Sequence, residues 1–321
     1  MTFKGKRVLV TGGAGFVGSN LVDLLVEREA SVIVLDDLFT GNLNNIQNYD
    51  SVEFVKGSVT DRQLTNKLVK EADYVFHLAV RNIIVSTQQP EMDFEANARG
   101  TFNILLAAKE YGIQRVIYTS SASIYGNPRY LPINEDDNIS ILNPYAASKF
   151  TGESYCFAYY EMFDVPISVV RYSNVYGIRQ NPGNPYCGVI SKFFDSALKG
   201  EPILIHGDGE QTRDFTYVGD AVDATMLAAL SPKAEGQVFN VGSGKETTIN
   251  DLAQMINHLC GARSKIIHID RRDIDNIRRR VMNIEKIRHF LRWVPTINQS
   301  EGLQKTYEWL QKDSERRRFV A

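Results

Sequence analysis

Three features of the 321-residue sequence predict an α/β fold built on a doubly wound parallel sheet. Short, nearly continuous apolar runs alternate with segments of helical period over the first two-thirds of the chain, as expected of strands covered by helices on both faces. The first run meets a glycine cluster that opens a helix. The second ends on two carboxylates, Asp36 and Asp37.

Taken in order, strands are expected at 7–10, 31–35, 52–55, 74–78, 116–119 and 167–170. The run at 31–35 is rich in β-branched residues, which suit a pleated, buried surface. Helical spacing covers 16–29, where Leu21, Leu24 and Leu25 share one side, then 63–70, 91–111 and 145–162. This alternation is the Rossmann pattern. Near residue 172 the rhythm changes. Residues 181–185 read as a loop, 203–205 as a strand entering the turn Gly207-Asp208-Gly209, and 222–230 as a helix. A strand and glycine turn follow at 236–244, a helix at 248–259, a strand at 266–269 and a last helix at 301–312. The tail Glu315-Arg316-Arg317-Arg318 is expected to be frayed and solvated. Residues 1–171 thus form the doubly wound domain. Residues 172–321 form mainly a smaller α/β lobe, with chain crossing between the two.

Composition narrows the function classes. Hydrophobic residues make up 43% and charged residues 23%, an ordinary globular balance. A formal charge of −2 supplies no basic field for nucleic acid. No apolar run reaches the roughly 18 residues of a membrane helix, and the N-terminal run is too short for a secretory leader. Cys156, Cys187 and Cys260 are odd in number and form no CxxC pair. They read as buried thiols of a reducing, cytoplasmic compartment, and no metal site is expected.

The glycine loop is Thr11-Gly12-Gly13-Ala14-Gly15-Phe16-Val17-Gly18. Gly13-x-Gly15-x-x-Gly18 fits the dinucleotide fingerprint, in which glycines allow a tight turn, close approach to a pyrophosphate and close helix packing. A helix N-terminus adds free N–H groups and a positive dipole end. Asp36 ends the next strand, where a carboxylate accepts ribose hydroxyls and repels a 2′-phosphate. The cofactor expected is therefore NAD rather than NADP.

Tyr145 and Lys149 lie one helical turn apart on one face. A phenol with a reference pKa near 10 needs help to act as a base at neutral pH, and an ammonium stabilises the phenolate. Ser121, at a strand end, suits a hydrogen bond to the same substrate oxygen. The Tyr-x-x-x-Lys spacing is unspecific by itself; its weight comes from the strand-end serine and the glycine loop upstream.

With these residues in view, the sequence resembles the extended short-chain dehydrogenase/reductases, in particular the nucleotide-sugar epimerase/dehydratase family. The resemblance spans nearly the whole chain. It rests on the glycine loop, His77-Leu78-Ala79, Asn97 with Gly100-Thr101, and Ser120-Ser121-Ala122-Ser123-Ile124-Tyr125-Gly126. It continues through Asn143-Pro144-Tyr145-Ala146-Ala147-Ser148-Lys149, Arg171-Tyr172-Ser173-Asn174-Val175-Tyr176-Gly177 and the run from Gly207 to Phe215. The serine motif is closest to that of UDP-sugar 4-epimerases.

The resemblance implies that Ser121, Tyr145 and Lys149 are catalytic. It implies an NAD site of Gly12, Gly15, Phe16, Val17, Gly18, Asp36, Ser58, Val59, Leu78, Ala79 and Asn97, with Tyr145 and Lys149. Asn174 and Arg213 then meet the nucleotide diphosphate, Ser121 and Ser123 the sugar, and the C-terminal lobe is the substrate lobe. His77 reads as a packed strand residue rather than a base.

The first step implied is oxidation of a sugar hydroxyl to a ketone. The acid pair of 4,6-dehydratases and the glutamate of the decarboxylases are replaced here by Ala122 and Ser123. C4 epimerisation of a UDP-sugar through a transient 4-keto sugar is the outcome left. A reductase or dehydrogenase, a decarboxylase or dehydratase, and a non-catalytic NAD-binding regulator are the alternatives.

Some positions depart from the family pattern. Ser58 replaces an aspartate expected to face adenine. Arg81 admits two readings, a substrate ligand or a solvated strand-end charge. The run from Arg271 to Arg280 falls near a segment that closes the sugar site in relatives, and Arg280 falls near its size-gating position. If Arg278, Arg279 and Arg280 lie on a strand, their faces alternate and at least one points inward, toward a diphosphate or a sugar carboxylate; the other reading is a solvated basic edge. The resemblance also implies a homodimer through helices 91–111 and 145–162, which could instead be wholly internal.

Overall fold

The computed structural model describes residues 2–46, 50–184, 187–271 and 277–320, with side chains through residue 313. Its first half runs β1 (Arg7–Thr11), α1 (Phe16–Glu27), β2 (Ser31–Asp36), β3 (Val52–Lys56), α2 (Arg62–Lys70) and β4 (Tyr74–His77). Helices α3 (Ile83–Gln88), α4 (Pro90–Asp93) and α5 (Gly100–Tyr111) follow, then β5 (Arg115–Ser121), α6 (Pro144–Phe163) and β6 (Ile167–Tyr172). Beyond these lie β7 (Asn174–Tyr176), α7 (Val189–Lys199), β8 (Ile203–His206), β9 (Thr212–Arg213), β10 (Phe215–Tyr217) and α8 (Val218–Leu230). The chain ends with β11 (Gln237–Val241), β12 (Thr247–Thr248), α9 (Ile249–Leu259), β13 (Ile266–Ile269), α10 (Glu285–Leu291) and α11 (Gln299–Val320).

Seven parallel strands form the central sheet in the order β11-β6-β5-β4-β1-β2-β3. The strand order reverses between β1 and β4, so a crevice opens there at the strands' carboxyl ends, where ligands bind in such sheets. Successive side chains of β1 point to opposite faces. Leu9 packs with Ile33, Val75, Ile104 and Cys156 on the side of α5 and α6, and Val8 and Val10 pack with Leu21, Leu25, Phe76 and Val222 on the side of α1 and α8. Both faces are therefore apolar, which explains the unbroken hydrophobic runs.

Several details differ from the sequence expectations. The stretch 91–111 is not one regular helix: a π-turn at Phe94–Arg99 separates α4 from α5. Such widened turns are frequent at functional sites. Helices α3, α7 and α10 are additional to the expected set. The seventh sheet strand, β11, comes from the C-terminal third and pairs with β6. Small two-stranded pairings, β10 with β7, β12 with β9 and β13 with β8, build the remainder. The charged side chains of Glu315–Arg318 lie outside the described side chains, and residues 272–276 of the arginine-rich run lie outside the described residues.

Candidate active site

The crevice begins at the glycine loop. Gly12 has a positive φ of 71°, and a Cβ there would lie 2.8 Å from the Ala79 nitrogen. A Cβ on Gly18 would sit 2.1 Å from the Gly12 carbonyl oxygen. These two glycines let the loop fold tightly against β4 and α1. A cavity of about 260 Å³ is lined by Gly12, Gly15, Phe16, Val17 and Gly18, by Asp36 and Ser58, and by Leu78, Ala79 and Arg81, with their neighbours. Gly13, the first glycine of the expected fingerprint, does not line it; its Cα faces Val34, and the cavity-facing set is Gly12, Gly15 and Gly18. Gly15 is the N-cap of α1 and supplies no side-chain cap. The helix thus opens with backbone N–H groups available to an anion.

Asp36 closes the far end of this cavity. Its Oδ2 accepts from the Ala14 N–H at 2.9 Å and its Oδ1 from the Leu38 N–H at 2.8 Å. Burial raises its pKa, and the two backbone donors counter that rise. Each oxygen keeps lone pairs for a ribose hydroxyl. Ser58 and Val59 line the wall; the Ser58 hydroxyl accepts from Thr60 N–H and Oγ1 at 3.2 and 2.9 Å, so its side chain shapes the turn. The loop, the uncapped helix and the carboxylate fit a dinucleotide.

Asn97 lies behind the cavity wall, 1% exposed. Its Oδ1 accepts from the Arg81 N–H at 2.7 Å, and its Nδ2 donates to the Arg81 carbonyl at 3.0 Å, Asp93 Oδ1 at 2.5 Å and Ser148 Oγ at 3.1 Å. It braces the wall and α6 together. Asp93, buried at 2% exposure, also accepts from Ser86 Oγ at 2.6 Å. Sequence reasoning missed Asp93; nothing in its local pattern marks a buried acid.

Ser121 ends β5, and Tyr145 and Lys149 occupy the first two turns of α6, whose N-cap Asn143 accepts from the Ala146 N–H at 2.9 Å. The Ser121 Oγ accepts from the Ser123 N–H at 3.1 Å and lies 3.2 Å from the Ser123 Oγ. Burial raises the Tyr145 pKa, while the Ser121 hydroxyl beside it and the Arg280 charge act the other way. The lowering expected from the ammonium therefore does not prevail in the protein alone. Lys149 is buried at 2% exposure, stands 4.4 Å from the Tyr118 ring centroid, and has its pKa lowered to about 8 by desolvation. His77 bridges Thr11 Oγ1 at 2.7 Å and Thr101 Oγ1 at 2.9 Å, and burial lowers its pKa to about 3. It is a neutral packed residue.

Beneath the serine turn, Arg171 pairs with Glu153 and donates to the Tyr125 hydroxyl at 2.6 Å and the Glu135 carbonyl at 2.7 Å. Tyr125 donates to Asn240 Oδ1 at 2.7 Å. This buried network ties β5, α6, β6 and β11 under the turn that carries Ser121 and Ser123.

The remaining expected substrate residues all follow β6 in the chain. Asn174 has a buried Oδ1 with no hydrogen-bond partner among the described residues. Arg213 is 7% exposed and donates through Nη1 to the Thr212 and Ile277 carbonyls at 2.8 Å each. Arg278 and Arg279 are exposed and pair with Asp208 and Glu246, whereas Arg280 is 3% exposed. The segment is not a regular strand; Met282, anchored by its N–H to Asp214 Oδ2 at 3.1 Å and packed on Ala122 and Tyr125, turns Arg280 inward. Arg81 lies apart from these residues, at the Asp36 side of the cavity.

A family model, described as the NAD dependent epimerase/dehydratase family, matches residues 8–242. The chain belongs to this family. NAD is its cofactor. A UDP-glucose 4-epimerase of Mycolicibacterium smegmatis is 38% identical over 316 residues, covering 96% of this chain and all of that one, 100%. A UDP-N-acetyl-alpha-D-glucosaminuronate decarboxylase of Bacillus cytotoxicus is 36% identical over 320 residues, covering 96% of this chain and 98% of that one. Among solved structures, an epimerase from Methanothermobacter thermautotrophicus superposes with a TM-score of 0.95 at 38% identity, covering 98% of this chain and 95% of the other. Relatives named as an epimerase and as a decarboxylase thus match this chain to nearly the same degree.

Proposed function

We propose that the enzyme interconverts UDP-sugars epimeric at C4, through a transient 4-keto sugar. The observation that carries this reading is the makeup of the turn after Ser121. Ala122 is 2% exposed and packed in an apolar cluster, and Ser123 hydrogen-bonds Ser121. Neither supplies the acid or base that elimination of water or loss of a carboxylate would need. Tyr145, with the Ser121 hydroxyl beside it, supplies one proton transfer.

Arg280 places positive charge near the phenol, Lys149 adds its own in this reading, and the Ser121 hydroxyl orients the sugar oxygen. Tyr145 takes the proton from the C4 hydroxyl and later returns it to the ketone oxygen. NAD, held by the glycine loop and Asp36, would supply the hydride acceptor and donor for C4. Arg213 and Asn174 hold the diphosphate end; a guanidinium fork suits phosphate oxygens. Ser123 and Arg280 flank the sugar. The same reading makes the enzyme cytoplasmic, where its free thiols and sugar nucleotide belong, and a homodimer through α5 and α6.

The test is proton NMR of the protein with NAD⁺ and, separately, UDP-glucose, UDP-N-acetylglucosamine and UDP-glucuronate. A gluco/galacto equilibrium mixture without NADH accumulation is expected for one of them. Stoichiometric NADH with a keto sugar, or no change in any of the three, overturns the reading.

A further inference from the structure

The two loops that flank the NAD cavity are joined by an ion pair outside the reacting centre. Arg81, on the loop after β4, donates through Nη2 to Asp37 Oδ2 at 2.5 Å and through Nη1 to Oδ1 at 3.5 Å. Asp37, on the loop after β2, is the neighbour of the ribose-facing Asp36. The guanidinium carbon also lies 4.2 Å from the Phe39 ring centroid, on the same loop as Asp37. Both partners line the cavity, and their side chains are only 14% and 28% exposed. Solvent therefore screens the pair less than an ordinary surface bridge.

Two further observations set this pair apart from a structural tie. The Arg81 main chain is clamped on both its N–H and its carbonyl by Asn97, so the guanidinium reaches out from a fixed base. Its Nε is buried and has no hydrogen-bond partner among the described residues. A planar fork held from a fixed base on a carboxylate and an aromatic ring joins the two loops that line the cavity.

We infer that Arg81 and Asp37 form a clasp across the cofactor cavity that holds NAD in place between turnovers. This rests on the epimerase reading only for its purpose: a hydride that must return to the same sugar needs a cofactor that stays. The clasp itself follows from the cavity and the ion pair. To leave, the cofactor must part the two loops, and parting them breaks the fork and the stacking on Phe39 together.

The test measures release of bound NADH, chased with excess NAD⁺ and followed by its fluorescence in stopped flow, with no sugar nucleotide present. Failure of the sugar assay therefore leaves this experiment standing. Arg81→Ala and Asp37→Ala are each expected to speed release at least tenfold. The double variant is expected to be no faster than the faster single, because either change already opens the clasp. Arg81→Lys keeps the charge without the fork and should fall between. Asp37→Asn, nearly isosteric, repeats the test should an alanine variant fold poorly. Release within twofold of wild type in Arg81→Ala, or additive effects in the double variant, overturns the clasp.

Discussion

The Asn97 amide donates to the Ser148 hydroxyl at 3.1 Å, and this bond joins the wall of the cofactor cavity to the helix that carries Tyr145 and Lys149. Asn97 also anchors the Arg81 main chain and the buried Asp93 carboxylate. Asn97→Ala removes a donor from that acid and is expected to cost about 2 kcal/mol of stability, the usual penalty for stranding a buried polar group. Asn97→Asp should cost more, since it sets a second carboxylate against the first. Urea unfolding of both variants without cofactor checks the order, and an NAD titration should show weakened binding in each.

Tyr145 separates an enzyme from a protein that merely binds NAD. Its hydroxyl lies beside that of Ser121 and, in the proposed reaction, exchanges a proton with substrate. Tyr145→Phe should lower turnover by roughly 10²–10⁴, the range for losing a positioned acid–base group. NAD affinity should change little, because Tyr145, though expected at the NAD site, does not line the cavity that runs from Gly12 to Asp36. Parallel progress curves and NADH titrations test this; loss of both together would mean that the ring is structural.

His77 gives the fold an acid-sensitive element. Burial lowers its pKa to about 3 from an ordinary 6.5. Between these values the unfolded chain binds a proton that the native state refuses, so stability falls as the pH drops from 6.5 toward 3. From pH 7 to pH 5 this residue alone should remove about 2 kcal/mol. Denaturant midpoints of the wild type and of His77→Gln over that range should converge toward low pH, since the variant lacks the titrating group. A parallel decline in both would assign the loss to carboxylates instead.

Much of the scaffold was legible because buried parallel strands and amphipathic helices write their periods into the chain. The glycine loop stands out by its spacing between a strand and a helix, whereas Tyr145 and Lys149 draw attention only in company with that loop and the strand-end Ser121. The misreadings have local causes. The spacing Gly13-x-Gly15-x-x-Gly18 and the expected NAD contact of Gly12 point to adjoining glycines, and only the backbone path shows that Gly12 is the one that faces the end of β4. The π-turn at Phe94–Arg99 leaves helical apolar spacing almost unchanged, so 91–111 reads as one helix. Helix α7 carries Val189, Ile190, Phe193, Phe194 and Ala197 on one side, a signal that was present but hidden behind the proline-rich loop before it. The Arg81–Asp37 pair joins residues 44 apart in sequence, which no local pattern encodes.

The homodimer expected from helices 91–111 and 145–162 has a specific surface to test. On α6, Tyr155 is 44% exposed, Met162 75% and Phe163 39%. Tyr155 packs edge-on against Phe102 of α5 at 5.2 Å between ring centroids, so the two helices present one aromatic seam. An apolar seam this prominent on paired helices is worth far more when buried against a second copy, at roughly 25 cal/mol per Å² of apolar surface removed from water. Sedimentation of the wild type at micromolar concentration should give a dimer. Tyr155→Glu with Met162→Glu places two charges in the seam, and each would have to be desolvated on association. The double variant should sediment as a monomer with its NAD cavity intact, since neither residue touches it. A monomeric wild type would leave the seam without its expected partner, and a dimeric double variant would move the interface to another face.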